Sequence, residues 1–273
     1  YLYLAIISLL LFFGIYLCFV GGYGSDEDTL PMIYVFEARL TDGRFVSSRF
    51  TSYPVSEIGI GFLSYYFGSW AANSATFIFY FFGLLFTFFS FENEVKKKNI
   101  FLFLILCLSS PVLFFDNLEP IDYSWAFLFF SIGLFFFSKK IFELSILFFA
   151  FAVGCRLNFI LFVILAIFFF KNSKFVNLQN KIIIAICSFI TGGLFYLPIW
   201  FYNGFGLDWI DAARPIEQGI FGLFARFTYK TWIAFGLIQA LIIIYGLIKI
   251  NKSLIIKKNQ NILIIFVLSN LLL

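Results

Sequence analysis

The feature that most limits what this chain can become is a succession of long apolar runs carrying almost no charge. They lie at about 2–20, 72–91, 100–115, 123–138, 141–155, 156–170, 182–202, 231–248 and 262–273 of the 273 residues. A backbone placed in lipid must satisfy its own N–H and C=O groups, which leaves only helices and closed barrels. The runs are continuous and lack period-2 alternation, so they predict helices. The expected fold class is all-α: a polytopic α-helical membrane protein of about 9 membrane helices. The last run, 262–273, is shorter than the roughly 20 residues that a bilayer takes, so that helix is expected to be truncated.

Composition supports this. The chain is 62% hydrophobic and 12% charged, with a mean hydropathy of +0.98, whereas ordinary soluble domains are roughly half apolar. No internal repeat or low-complexity linker divides it, so 1–273 reads as one transmembrane domain. Tyr1 stands inside an apolar run and the only methionine is Met32, which points to a piece of a longer protein. The first run is long and no A-x-A-like cleavage site follows it, so it reads as an anchor. Cys18, Cys107, Cys155 and Cys187 lie in or beside apolar runs without C-x-x-C spacing, and are expected to be small buried hydrophobes. With no histidine in the chain, acid–base or metal chemistry would have to rest on carboxylates.

Charge then orients the runs. Twelve of the thirteen lysines fall in alternate loops, at 96–98, 139–140, 171–181 and 249–258, and mark the cytoplasmic side. Keeping the loops in step requires 141–170 to form two short helices turning at 154–158, in place of one long tilted helix. All six arginines, Arg39, Arg44, Arg49, Arg156, Arg214 and Arg226, then face outward with twelve of the fifteen carboxylates. The positive-inside rule gives no reason for arginines outside. Forked guanidiniums suit bidentate binding of phosphate or carboxylate, so an outer site for an anionic group is expected.

The first outer loop, residues 21–57, holds six of the fifteen carboxylates and three of the six arginines. Residues 29–40 resemble a helix lying at the membrane surface, capped by Asp28 or Thr29 with Pro31 in its first turn. Residues 54–67 are apolar but short, and fit an interfacial or dipping helix. Ser25, Asp26, Glu27 and Asp28 precede the surface helix, where acidic residues can simply cap amides and complement the helix dipole. The second outer loop is Asp-Asn-Leu-Glu-Pro-Ile-Asp, 116–122. Asp116, Glu119 and Asp122 are most simply loop solubilisers; of the three only Asp122, beside Tyr123 at a helix start, is also a candidate for a functional role. Arg156 stands in the apolar stretch 144–170 and either snorkels to the interface or serves a site. In the third outer loop, 203–230, Arg214 and Arg226 can pair with Asp211 or Glu217.

Taken together, the Asp26-Glu27 pair, a following helix, Arg49 and Tyr53-Pro54-Val55-Ser56-Glu57 opening an apolar helix that ends in Phe67-Gly68 resemble the first outer loop of GT-C fold glycosyltransferases. That polytopic family includes protein O-mannosyltransferase-like and aminoarabinose-transferase-like enzymes. The acidic loop 116–122 leading into YSWAFLFFSIGLFFFSKK, and AFAVGCRLNFI at 150–160, are similar to later family segments. Tyr53-Pro54 stands where Pro-Pro is common. The resemblance covers about 25–170.

It implies transfer of a sugar from a polyprenyl-phosphate carrier to an acceptor hydroxyl on a glycan, lipid or protein, at the outer face and with inversion. Asp26, then Glu27, would be the catalytic base. Arg49, Arg156, Arg214 and Arg226 are candidates to hold the donor phosphate. Tyr53, Glu57 and Asp122 would line the substrate loop. A divalent cation, Mg2+ or Mn2+, held by Asp26 and Asp122, is the other way to meet the phosphate's charge. The expected partners are the lipid-linked sugar, the acceptor and the bilayer, with no nucleic acid. Two other readings stay open: a transporter or flippase of lipid-linked sugars, and a polysaccharide polymerase or ligase. A transporter should carry charges and broken helices near the bilayer midplane, whereas only Glu143 and Arg156 come close to apolar runs here.

Overall fold

The computed structural model describes residues 2–24, 29–48, 52–91, 97–169 and 176–202, and among them every regular element is a helix. Among the described residues two helices are long and apolar enough to cross a membrane: α1, Leu2–Val20, and α4, Ser69–Ser90. At a rise of about 1.5 Å per residue each is roughly 30 Å long, the thickness of a hydrocarbon core. Between them lie α2, Thr29–Asp42, and α3, Pro54–Phe67, in the places expected of the loop helices. Thr29 is the first residue of α2 and fully buried. Among the described residues its hydroxyl has no hydrogen-bond partner, so it does not act there as the expected cap. The expected helices at 231–248 and 262–273 fall outside the described residues.

The remaining helices are shorter: α5, Lys97–Leu108; α6, Pro111–Asp116; α7, Asp122–Ser138; α8, Phe142–Cys155; α9, Phe159–Phe169; α10, Leu178–Leu194; α11, Leu197–Tyr202. Two expected runs are interrupted. The 100–115 run breaks at Ser109 and Ser110, because Pro111 has no N–H and holds the residue before it away from helical angles; Ser110 is extended, with φ −70 and ψ 116. The 182–202 run ends α10 at Leu194 after Gly192-Gly193, a poor helical pair, and resumes at α11 with Pro198 in its first turn. The break expected at 154–158 is present, with Arg156 extended at φ −151 and ψ 120. Phe130 of α7 meets Phe149 of α8 at 5.7 Å and Phe159 and Phe162 of α9 at 5.9 and 6.4 Å between ring centroids. One ring therefore touches both helices, and α9 folds back beside α7.

Packing centres on α7, which lies between α4 and α8, with α10 on the far side of α8. Small residues let these helices approach: Gly83 faces Phe127, Gly133 faces Phe149, and Gly192 faces Val153, each where a Cβ would meet the neighbouring side chain. Close approach through small residues and interhelical hydrogen bonds is how apolar helices associate without a hydrophobic gradient between them. Trp125 Nε1 donates to Thr76 Oγ1 at 3.1 Å, the Thr87 and Ser131 hydroxyls pair at 2.9 Å, and Ser145 Oγ donates to Gly133 O at 3.0 Å. The end of α1 is fixed from α4, where Asn73 Nδ2 donates to Gly22 O at 2.5 Å. Cys18 and Cys155 are buried, Cys107 and Cys187 half-buried, and all four are free thiols.

Candidate functional site

The residues that gather are those at helix ends around the start of α7. Ile121 is extended at φ −111 and ψ 152, so α7 begins at Asp122, with a carboxylate in its first turn where the helix dipole favours negative charge. Arg156 ends α8, where the dipole favours positive charge. Their side chains meet: Arg156 Nε lies 2.6 Å from Asp122 Oδ2, with side-chain exposures of 10% and 0%. The guanidinium also lies over two rings, with its carbon 3.5 Å from the Tyr123 centroid and 5.1 Å from that of Tyr53. Such cation–π contacts are worth about 1–2 kcal/mol when desolvated. Burial works against the arginine's charge, but the Asp122 carboxylate, helped by Tyr123 and Tyr53, outweighs it and holds the Arg156 pKa above its ordinary value. The group is thus a fixed cation at any accessible pH.

The break between α10 and α11 braces this turn. Tyr196, in the break between them and 1% exposed, donates from its hydroxyl to Val153 O at 2.8 Å. Val153 lies in the last turn of α8, whose carbonyls have no partner within the helix. Gly154 leaves room for Val55 of α3 and Phe195. The backbone that leads to Arg156 is therefore packed by both α3 and the α10–α11 break.

Glu57, expected to line the substrate loop, is enclosed by that loop's own groups. It is fully buried in the first turn of α3 and its carboxylate is surrounded by donors. Oε2 receives Arg39 Nη2 at 2.5 Å and Ser52 Oγ at 2.8 Å. Oε1 receives Ser48 Oγ at 2.6 Å, Ser48 N at 3.1 Å and Tyr53 N at 3.1 Å. A carboxylate offers about four lone-pair directions, and the loop and Arg39 use them all. A buried charge needs this degree of pairing to be tolerated.

Of the sequence candidates, the structure brings Tyr53, Asp122 and Arg156 together and places Glu57 one helical turn from Tyr53. Asp26, Glu27, Arg49, Arg214 and Arg226 lie outside the described residues. Gly24, which precedes the Ser25-Asp26-Glu27-Asp28 cluster, is at φ 76, and a Cβ there would meet the Glu119 side chain; the loop at 116–122 therefore touches the start of the loop at 21–57. In the sequence Arg39 reads only as one of six arginines on the expected outer side, and Tyr196 carries no signal. Arg39 and Glu57 are 18 positions apart, with no period connecting them, and Tyr196 is one tyrosine among fourteen.

The cation site expected at Asp26 and Asp122 lies partly outside the described residues. At Asp122 the positive charge present is the Arg156 guanidinium, and a divalent ion at the same oxygen would be set against it. Among the described residues no group of three or more His, Cys, Asp or Glu side chains gathers as metal ligands. Comparison of the chain with protein-family models, with curated proteins and with solved structures finds no match, so the resemblance to GT-C glycosyltransferases rests on the residues named above.

Proposed function

We propose that this chain is a multi-pass membrane glycosyltransferase of the GT-C type. It moves a sugar from a polyprenyl-phosphate donor to an acceptor hydroxyl on a glycan, lipid or protein at the extracytoplasmic face, with inversion. The observation that carries the reading is the buried Asp122–Arg156 pair under Tyr53 and Tyr123, where the two acidic outer loops and the α8–α9 turn converge. In the proposed topology, α1 and α4 span fully, and the shorter apolar helices with the runs beyond residue 202 make up the expected nine. Loop charges set the sidedness: lysines inside, arginines outside.

In the reaction, the acceptor oxygen bonds to the anomeric carbon as the bond from that carbon to the phosphate oxygen breaks. The acceptor's proton goes to a carboxylate, Asp26 first and Glu27 second. The departing lipid phosphate gains negative charge, and a pre-placed cation stabilises it without reorganising. Arg156 suits that task because it is a buried cation already held by Asp122 and by the rings of Tyr123 and Tyr53. Asp122 holds the guanidinium in orientation, and the rings of Tyr53 and Tyr123 keep water from its faces. Arg49, Arg214 and Arg226 are further candidates for the same phosphate.

The test is transfer of radiolabelled sugar in membranes containing the full-length protein supplied with polyprenyl-phosphate sugars. Loss of transfer in Asp26→Asn or Glu27→Gln, at normal expression, supports the carboxylate-base mechanism and chooses between the two. Wild-type transfer in both variants, or passage of the lipid-linked sugar across the membrane without its consumption, would overturn it in favour of a transporter.

A further inference from the structure

The segment that enters α3 carries a strained residue next to a site residue. Ser52 is at φ 59, a left-handed conformation unusual for a side-chain-bearing residue. Strain of this kind persists where the surroundings over-determine it. Here the surroundings are Glu57. Its carboxylate takes the Ser52 hydroxyl and the Tyr53 N–H, while the Glu57 N–H donates to Tyr53 O at 2.8 Å and Ser56 Oγ donates to the same oxygen at 3.1 Å. Tyr53 is thereby held at both its N–H and its C=O by the first turn of α3. Its ring then lies 5.1 Å from the Arg156 guanidinium carbon. Arg39, from α2, closes the arrangement through its 2.5 Å contact with Glu57.

We propose that Arg39 and Glu57 are a positioning pair that sets Tyr53 against Arg156, so that the first outer loop shapes the anion-binding face of the site. The inference rests on the role given to Arg156 above, but its geometry does not depend on the sugar chemistry. The direction in which the Tyr53 ring points follows from the backbone angles at Ser52 and Tyr53. With the Glu57 charge removed, Arg39 loses its buried counter-charge and the carboxylate no longer binds Ser52 as strongly. Ser52 then relaxes out of the left-handed region, and the rotation swings Tyr53 away from Arg156. If the pair only closed the loop, Arg156 would not respond.

The readout is chemical modification of Arg156 by phenylglyoxal, followed by mass spectrometry of the full-length protein in detergent. It needs neither donor nor acceptor, so failure of the transferase reading leaves it interpretable. Arg44, whose side chain is 49% exposed, is the internal reference. In Glu57→Gln and Arg39→Gln the modification rate at Arg156 should rise about tenfold, the equivalent of losing one charged hydrogen bond's worth of ordering, with Arg44 unchanged. Ser52→Ala removes one hydroxyl and leaves the ion pair in place. It should raise the rate in the same direction and serves if Glu57→Gln does not accumulate folded protein. An Arg156 rate equal to wild type in every variant that folds would overturn the proposal.

Discussion

Replacing Asp122 with Asn removes the buried charge that faces Arg156 and keeps the size and hydrogen-bonding oxygen of the side chain at the start of α7. Removing one member of a buried ion pair costs about 3–5 kcal/mol, because the other is left uncompensated. Asp122→Asn belongs at the lower end, about 3 kcal/mol, since Arg156 keeps its cation–π contacts with Tyr123 and Tyr53. Arg156→Met keeps the length of the stem and leaves a carboxylate that is 0% exposed without its guanidinium, so it belongs near 5 kcal/mol. The double variant carries neither charge and should cost less than the sum, with a coupling energy of about 2–3 kcal/mol. The assay is a double-mutant cycle on unfolding free energies in detergent micelles. Costs that add to within about 0.5 kcal/mol would show that the two groups do not interact, and would remove the structural basis for the site.

Two further outcomes follow from the packing and the charge distribution. Gly133→Ala places a methyl group against the Phe149 ring and should destabilise by about 1–3 kcal/mol through overpacking, read as a loss of thermal stability; an unchanged value would mean that α7 and α8 are further apart than described. In intact membranes a cysteine at Gly43 should react with an impermeant maleimide added outside and one at Lys140 only after permeabilisation, whereas reaction of both from one side would refute the proposed orientation.

Much of the helical layout is legible in the sequence because apolar runs and their breaks are local signals. The turn at Arg156, the helix at 54–67 and the helix after residue 28 all follow from hydropathy, charge and proline placement. The interruptions at Pro111 and after Gly192-Gly193 were equally visible in principle, but both leave the run apolar, and hydropathy alone does not register them. The site was legible only as a set of candidates. Tyr53, Asp122 and Arg156 are separated by 69 and 34 positions, and only the packing of α3, α7 and α8 makes them neighbours. Asp122 sits in a polar loop that reads as solvated, yet it is buried because the α8–α9 turn brings a guanidinium onto it. Glu57 reads as part of a substrate loop, and its enclosure by Ser48, Ser52, Tyr53 and Arg39 depends on the left-handed Ser52 and on α2 packing against α3, which hydropathy does not register.

Sugar transfer itself is the most direct test of the proposed activity. The measurement is the initial rate at which membranes containing the full-length protein move radiolabelled sugar from a polyprenyl-phosphate donor to acceptor, for wild type and Asp26→Asn at matched expression. Loss of a catalytic base lowers rates by about 10²–10⁴-fold, and a fall of that size with donor binding retained is the predicted result. Equal rates in the two proteins, or no donor consumed by either, would contradict it.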